Sequence, residues 1–210
     1  MSFKNILCFG TLNPDLIYFV DELPSIGDDI RSSKYSIRPG GTAINCSELI
    51  SLWNKSVEVR GNSIGKDPMG KYLVDYLKEK NINFDSLIIN ELMTPTCSIF
   101  IDSSGERTIV SSGYESLEWS NFENLNSYDS LILDRYSIKF IKDELKNLKK
   151  INNLFVCQAG YEYEIDYKLD FLIVSKDEIS VNEANNLIDS KTVEYILLTS
   201  SSLPARLLSS

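Results

Sequence analysis

The sequence predicts an α/β protein, a mostly parallel sheet flanked by helices with a small antiparallel sheet beside it. Three observations predict it. Short runs rich in β-branched and aromatic residues alternate with segments of helical period. A composition of 43% hydrophobic and 24% charged residues is that of a soluble globular chain. Its 210 residues suffice for one substantial domain with a buried core.

Residues 6–9, 57–63, 87–89, 130–133, 154–156, 171–174 and 193–198 read as strands. Between them, 68–80 reads as a helix, with Pro68 near its start and Met69, Tyr72, Leu73, Tyr76 and Leu77 at the spacing of one apolar face. Residues 138–150 read similarly: Ile138, Ile141, Leu145 and Leu148 face inward, and lysines gather at the C-terminal end, where they complement the helix dipole. This alternation argues for parallel strands covered on both faces. Segments 28–38 and 96–110 break it, being strand-like without a helix between, and the second carries the turn Asp102-Ser103-Ser104-Gly105-Glu106. Either they pair as a small antiparallel sheet outside the main one, or they form an ordinary edge hairpin. Residues 199–210, rich in Ser and Leu and without periodicity, read as a frayed end.

Charge and composition exclude several functions. With 30 acidic against 21 basic residues the chain carries a formal charge of -9, which opposes attraction to phosphate backbones and anionic lipid. Neither nucleic acid nor a membrane is an expected partner. The longest apolar run, 16–20, cannot span a bilayer, and the start lacks the apolar stretch of a signal peptide, so a cytoplasmic protein is expected. Four cysteines at positions 8, 46, 97 and 157 form no Cys-x-x-Cys pair and no histidine is present, so structural zinc is excluded and no residue is assigned as a metal ligand. The cysteines lie among apolar residues, as buried thiols do. Acid or base work falls to carboxylates, Lys, Tyr or Cys.

The most informative segment is Arg38-Pro39-Gly40-Gly41-Thr42-Ala43-Ile44-Asn45-Cys46-Ser47, which opens a helix running to about Trp53. Adjacent glycines let the backbone turn tightly and let a ligand approach, and a helix N-terminus offers free N–H groups. Asn45 on the first turn can aim its amide at that ligand; a plain turn is the other reading. Asp15 follows the first strand as a hydroxyl ligand or a turn cap. Asp134 and Arg135 follow another strand, at the sheet end where open α/β folds bind ligands, or else form a surface ion pair.

These segments resemble the PfkB (ribokinase-like) carbohydrate kinases. Gly-Gly-x-x-x-Asn opening a helix is that family's first signature. Upstream, Gly10-Thr11-Leu12-Asn13-Pro14-Asp15 resembles its first strand and turn; downstream, Gly61-Asn62-Ser63-Ile64-Gly65-Lys66-Asp67-Pro68-Met69-Gly70 resembles the segment before its second helix, and 96–110 its lid strands. The resemblance covers about half the chain. It implies an ATP-dependent kinase of a sugar hydroxyl, a ketose or pentose, with Mg2+. Asp15, Gly40, Gly41 and Asn45 become sugar contacts, Asn13 a further one, and Arg107 a lid residue able to reach the sugar. The lid strands, about 28–38 and 96–110, imply closure over the sugar and a homodimer contact.

Val174-Ser175-Lys176-Asp177 and Asn45-x-Ser47 bring the chain nearest to ketohexokinase-type ketose kinases. The family's Asn-x-x-Glu motif falls at 175–178, with Ser175 in place of Asn and Glu178 as the nucleotide-side residue. The second signature, Asp-Thr-x-Gly-Ala-Gly-Asp, supplies the anion hole and the catalytic base, and no stretch of this chain resembles it. The resemblance therefore implies one ribokinase-like domain over 1–210 that lacks its C-terminal nucleotide-binding part, holds no catalytic residue and transfers phosphate slowly or not at all. A sugar-binding pseudokinase and a dimerising module are the other readings.

Overall fold

Six parallel strands and one antiparallel strand form the main sheet of the computed structural model, which describes residues 4–147, 154–161, 165–200 and 203–209. In chain order the elements begin with β1 (Asn5–Gly10), β2 (Asn13–Phe19), β3 (Lys34–Gly40), α1 (Thr42–Ser51), β4 (Ser56–Gly61), β5 (Ile64–Gly65), α2 (Pro68–Glu79), β6 (Ile89–Asn90), β7 (Thr96–Ile101) and β8 (Arg107–Ser112). They continue with β9 (Ser130–Asp134), α3 (Ile138–Asn147), β10 (Phe155–Ala159), β11 (Leu169–Ser175), α4 (Val181–Asp189), β12 (Val193–Thr199) and β13 (Arg206–Ser209). The main sheet runs β13-β12-β11-β10-β9-β1-β4 and a smaller sheet runs β3-β2-β7-β8.

Alternation along β1 shows how the main sheet buries both faces. Ile6 and Cys8 enter one core with Ala43, Ile44 and Ile50 of α1 and Leu73 and Leu77 of α2. Leu7 and Phe9 enter the other, with Ile138, Ile141 and Leu145 of α3 and Ala184 and Ile188 of α4. Each Ile, Leu or Phe side chain among them contributes about 1.5–3 kcal/mol on removal from water. Local chemistry fixes the helix starts. Asp67 caps α2 by accepting from the Gly70 N–H at 2.8 Å, with Pro68 in the first turn. Ser180 and Glu183 form a reciprocal capping box on α4.

The helix expected from Ile138 begins there; the expected inward position of Leu148 lies outside the described residues. The strand expected at 87–89 becomes the two-residue β6, paired with β5 and not part of the main sheet. Part of the expected frayed end is a strand: β12 continues through Thr199 and β13 pairs antiparallel with it, Leu198 opposite Arg206. In the smaller sheet, β3 starts at Lys34, and 28–33 is not strand. The two strand-like segments do not pair with each other. β2 stands between them, antiparallel to β3 and parallel to β7, while β7 and β8 form the antiparallel hairpin.

The order of the main sheet places β1 between β4 and β9. The chain builds outward from β1 on one side, then returns to its other side at β9. The carboxyl ends of β1 and β9 are thus a topological switch point, where open α/β sheets leave a crevice. Among the described residues no helix is long and apolar enough to cross a membrane.

Leu172, fully buried in β11, and Leu49, 59% exposed on α1, give a paired test. Leu172→Ala lowers the unfolding free energy in urea by about 2–5 kcal/mol, whereas Leu49→Ala changes it by less than about 0.5 kcal/mol.

Candidate functional site

The chain leaves β1 through Thr11 and Leu12 to enter β2, and buried polar contacts fix this passage. Asp134, at the end of β9 and 1% exposed, accepts from the Thr11 N–H at 2.7 Å, the Thr11 hydroxyl at 2.8 Å and the Ser137 N–H at 2.8 Å. Thr11 passes the constraint on to α1: its hydroxyl oxygen accepts from the Thr42 N–H and its carbonyl from the Ala43 N–H, both at 3.2 Å. On the other side, buried Asn62 accepts from the Leu12 N–H at 2.8 Å and donates to the Leu12 carbonyl at 3.0 Å.

The two glycines are required by close approach. Gly41 precedes α1 at φ 85°, in the left-handed region, and a Cβ there would strike the Thr11 carbonyl. A Cβ on Gly40 would strike the Asp15 carboxylate. With no side chain at either position, the helix N-terminus, the β1–β2 passage and Asp15 close around one space.

That space is a cavity of about 540 Å³. Thr11, Asn13, Asp15, Gly41, Thr42 and Asn45 line it from the β1–β2 passage and α1. The smaller sheet contributes Cys97 and Ile99 from β7 and Arg107, Ile109 and Ser111 from β8, alternate residues that share one face of a pleated strand. Tyr114, Leu117 and Trp119 after β8, with Tyr136, Lys139 and Phe140 at the start of α3, complete it.

The polar groups are pre-arranged. Asn13, 2% exposed, donates from Nδ2 to Asp15 Oδ1 at 2.7 Å and accepts at Oδ1 from the Tyr114 hydroxyl at 2.9 Å. Burial raises the Asp15 pKa, a shift opposed by the Asn13 hydrogen bond and the Arg107 charge. Burial likewise pushes the Tyr114 phenol up, so it remains a donor. Asp15 keeps acceptor capacity beyond its bond from Asn13, and Arg107 can only donate. Together they can meet both ends of a hydroxyl pair.

Of the residues singled out from sequence, Asn13, Asp15, Gly41, Asn45 and Arg107 line this cavity, and Gly40 backs Asp15. Asp134 and Arg135 do not form a surface ion pair with each other. Asp134 is the buried support just described, while Arg135 pairs with Glu178, donates to the Tyr136 hydroxyl at 2.8 Å and stands over its ring at 4.9 Å. Glu178 sits past β11, where it also accepts from the Ser175 N–H at 2.8 Å and the Tyr161 N–H at 3.3 Å. Sequence reasoning missed Tyr114, Trp119, Tyr136, Lys139 and Phe140. Only Tyr114 had a nearby signal, following Gly113 at the end of the lid hairpin.

The pattern of the pfkB family carbohydrate kinases matches residues 4–153. The chain belongs to this family. It is 24% identical over 185 residues to ribokinase of Dictyostelium discoideum, covering 88% of this chain and 52% of the relative. It is 26% identical over 149 residues to ketohexokinase of Mus musculus, covering 70% of this chain and 48% of the relative. The pfkB chain therefore spans about half the length of these curated relatives. The structure of Arabidopsis thaliana ribokinase complexed with ribose and ATP superposes on 100% of this chain and 75% of its own, with a TM-score of 0.74 at 16% identity, a likeness of fold.

Among the described residues, the ends of β10, β11 and β12 show no comparable cradle for nucleotide phosphates and Mg2+. Glu178 is taken up by Arg135 and two backbone N–H groups, and Ser200 Oγ is a single buried hydroxyl without a partner. Among the described residues no group of three or more Cys, Asp or Glu side chains is placed to hold a metal ion.

Removing the Asp134 carboxylate orphans donors on Thr11 and Ser137. Asp134→Ala lowers the unfolding free energy by about 1–3 kcal/mol for each orphaned donor, read from urea titration. Asp134→Asn, which keeps an acceptor oxygen, costs less.

Proposed function

We propose that these 210 residues form the sugar-binding part of an ATP-dependent carbohydrate kinase, a phosphotransferase acting on a hydroxyl of a ketose or pentose. One observation carries the reading: Asn13, Asp15, Gly41 and Asn45 converge on a single cavity at the switch point of the sheet, beneath the smaller sheet. Asp15 accepts from one or two sugar hydroxyls, Asn13 holds Asp15 in place, and the Asn45 amide and the N–H groups opening α1 serve neighbouring oxygens. A site built to satisfy hydroxyls rejects analogues that lack them, because its own polar groups would be left unpaired. The smaller sheet is the lid; Arg107 and Ile109 close over the ligand and exclude water.

In this reading the domain over 1–210 is ribokinase-like and lacks the nucleotide-binding part that carries the base and the anion hole. ATP with Mg2+ is the phosphoryl donor of the family, and no step of the transfer is assigned to residues of this chain. A second reading, sugar binding without turnover, is favoured by the engagement of Glu178 with Arg135. A homodimer through the lid is supported by β8, an edge strand exposed along its length and carrying Ile109 and Val110. Four free thiols suit the cytoplasm.

Asp15→Ala weakens ribose or fructose binding by at least about tenfold, read by calorimetry, since a hydrogen bond to a charged group is lost. The pH dependence has a definite sign. Because the Asp15 pKa lies above the ordinary aspartate value of 3.8, lowering the pH neutralises this acceptor before an ordinary aspartate would titrate, so affinity falls on the acid side; Asp15→Asn binds weakly with no such limb. With MgATP the 210-residue chain releases little or no sugar-dependent ADP. Turnover abolished by Asp15→Ala would overturn the assignment of the base to another part of the protein.

A further inference from the structure

Tyr114 joins the cavity by a change of phase in the chain. Arg107, Ile109 and Ser111 line the cavity from one face of β8, and strict alternation would put position 113 there next and turn position 114 away. Gly113 breaks the alternation. It sits at φ 83°, in the left-handed region, and Tyr114 follows it onto the cavity side. The cavity's aromatic wall, where Trp119 and Phe140 stack at 4.4 Å, is held by ring contact. Tyr114 is held also by its hydroxyl, whose partner Asn13 is itself bonded to Asp15.

These bonds run one way. Asp15, as a carboxylate, only accepts, so Nδ2 of Asn13 faces it at 2.7 Å and Oδ1 faces away. Nδ2 also donates to the Pro14 carbonyl at 3.3 Å. Both Asn13 donor hydrogens are thereby committed, and its oxygen, in a residue only 2% exposed, needs a donor. The Tyr114 hydroxyl supplies one at 2.9 Å. Burial, the Cys97 thiol and the carboxylates of Asp15 and Asp134 together push the phenol's pKa up, so it keeps its proton. Behind it, Cys97 Sγ stands 3.8 Å from the same hydroxyl and 3.4 Å from Ser111 Oγ, which ties the arrangement to β7 and β8. Bonds aligned head to tail, Tyr114 to Asn13 to Asp15, polarise one another towards the carboxylate.

We propose that Tyr114 is a positioning residue of the sugar site: it fixes the Asn13 amide, and through it the Asp15 carboxylate that accepts from sugar hydroxyls. This rests on the sugar-site reading above and adds to it a residue that acts through another. Without the hydroxyl, Asn13 Oδ1 is a buried acceptor with no donor, a costly state. The amide relieves it by turning that oxygen towards water or a ligand in the cavity, and the turn carries Nδ2 off Asp15. Asp15 then loses the hydrogen bond that opposes the effect of burial, so its pKa rises further above 3.8. The other groups facing Asp15 are Arg107 from β8, Arg38 opposite it in β3 and Cys97 opposite it in β7. They lie on other strands and are the same with or without the hydroxyl, which isolates its effect.

Tyr114→Phe removes the hydroxyl and keeps the ring, and a urea titration verifies that the 210-residue variant is folded without denaturant. NMR of the side-chain carboxyl carbon reads the Asp15 pKa, and calorimetry reads ribose and fructose affinity in wild-type and Asp15→Ala backgrounds. The expected result is a higher Asp15 pKa, with sugar affinity lowered about tenfold at neutral pH and its acid limb moved to higher pH. In the Asp15→Ala background, where no carboxylate is left to position, Tyr114→Phe changes affinity by less than about twofold. An unchanged Asp15 pKa with unchanged affinity makes Tyr114 a packing residue and overturns the proposal while the sugar site stands. An equal loss of affinity in both backgrounds also overturns it, because Tyr114 then acts on the sugar directly. Sugar binding indifferent to Asp15→Ala, or no sugar binding by any variant, overturns the sugar-site reading itself. The Asp15 pKa, measured without ligand, decides even then whether Tyr114 holds Asn13 and Asp15.

Discussion

The carboxylate of Asp134 holds the point where the main sheet gives way to the smaller one. It sits at the end of β9 and grips the backbone and hydroxyl of Thr11 at the end of β1. Thr11 in turn receives the first N–H groups of α1. Three elements distant in sequence are thereby locked to one another by charge-assisted bonds in a water-poor setting, where such bonds are strong and their loss is costly. The direction of β2, and with it the positions of Asn13 and Asp15, follows from that lock. Gly40 and Gly41 are its steric counterpart: they let β3 and α1 approach a passage that the polar bonds have already fixed.

Sheet order explains why the binding groups gather there. β1 has β4 on one side and β9 on the other, so the connections leaving its carboxyl end and that of β9 diverge and open a crevice. The smaller sheet grows from the same place, since β2 begins just after β1 ends, with only Thr11 and Leu12 between them. Only β2 continues directly from the cavity floor; the residues that the smaller sheet sets over the cavity come from β7 and β8, far along the chain.

Much of this was legible in local chemistry. Gly40-Gly41 before a helix, Asn45 on its first turn and an acidic residue after the first strand are short-range patterns with short-range causes. β2 was less legible because Pro14 and Asp15 read as turn residues. The structure admits Pro14 because the pairing with β7 starts only at Asp15, so no neighbour on that side needs its missing N–H. β13 escaped notice for the opposite reason: the open edge of β12 supplies its backbone partners, and its own sequence carries little pattern. Asp134 and Arg135 looked alike in sequence and part in space, one into the core and one to Glu178. The aromatic wall was illegible, because Trp119 and Phe140 come from separate segments that only the packing of α3 against the sheet brings together.

The cavity and the strands beyond α3 are separable in such an architecture. Every group lining the cavity comes from residues 11–140, and the lock that positions them closes at Asp134 and Ser137. Beyond α3, the strands β10, β11 and β12 and the helix α4 add to the core, but among the described residues they lend no side chain to the cavity. The bridge between the two regions is Arg135, one of whose guanidinium nitrogens meets Glu178 and the other the hydroxyl of Tyr136, a cavity residue. Both contacts rest on one side chain, so the Tyr136 hydroxyl and the Glu178 carboxylate together fix where that guanidinium lies.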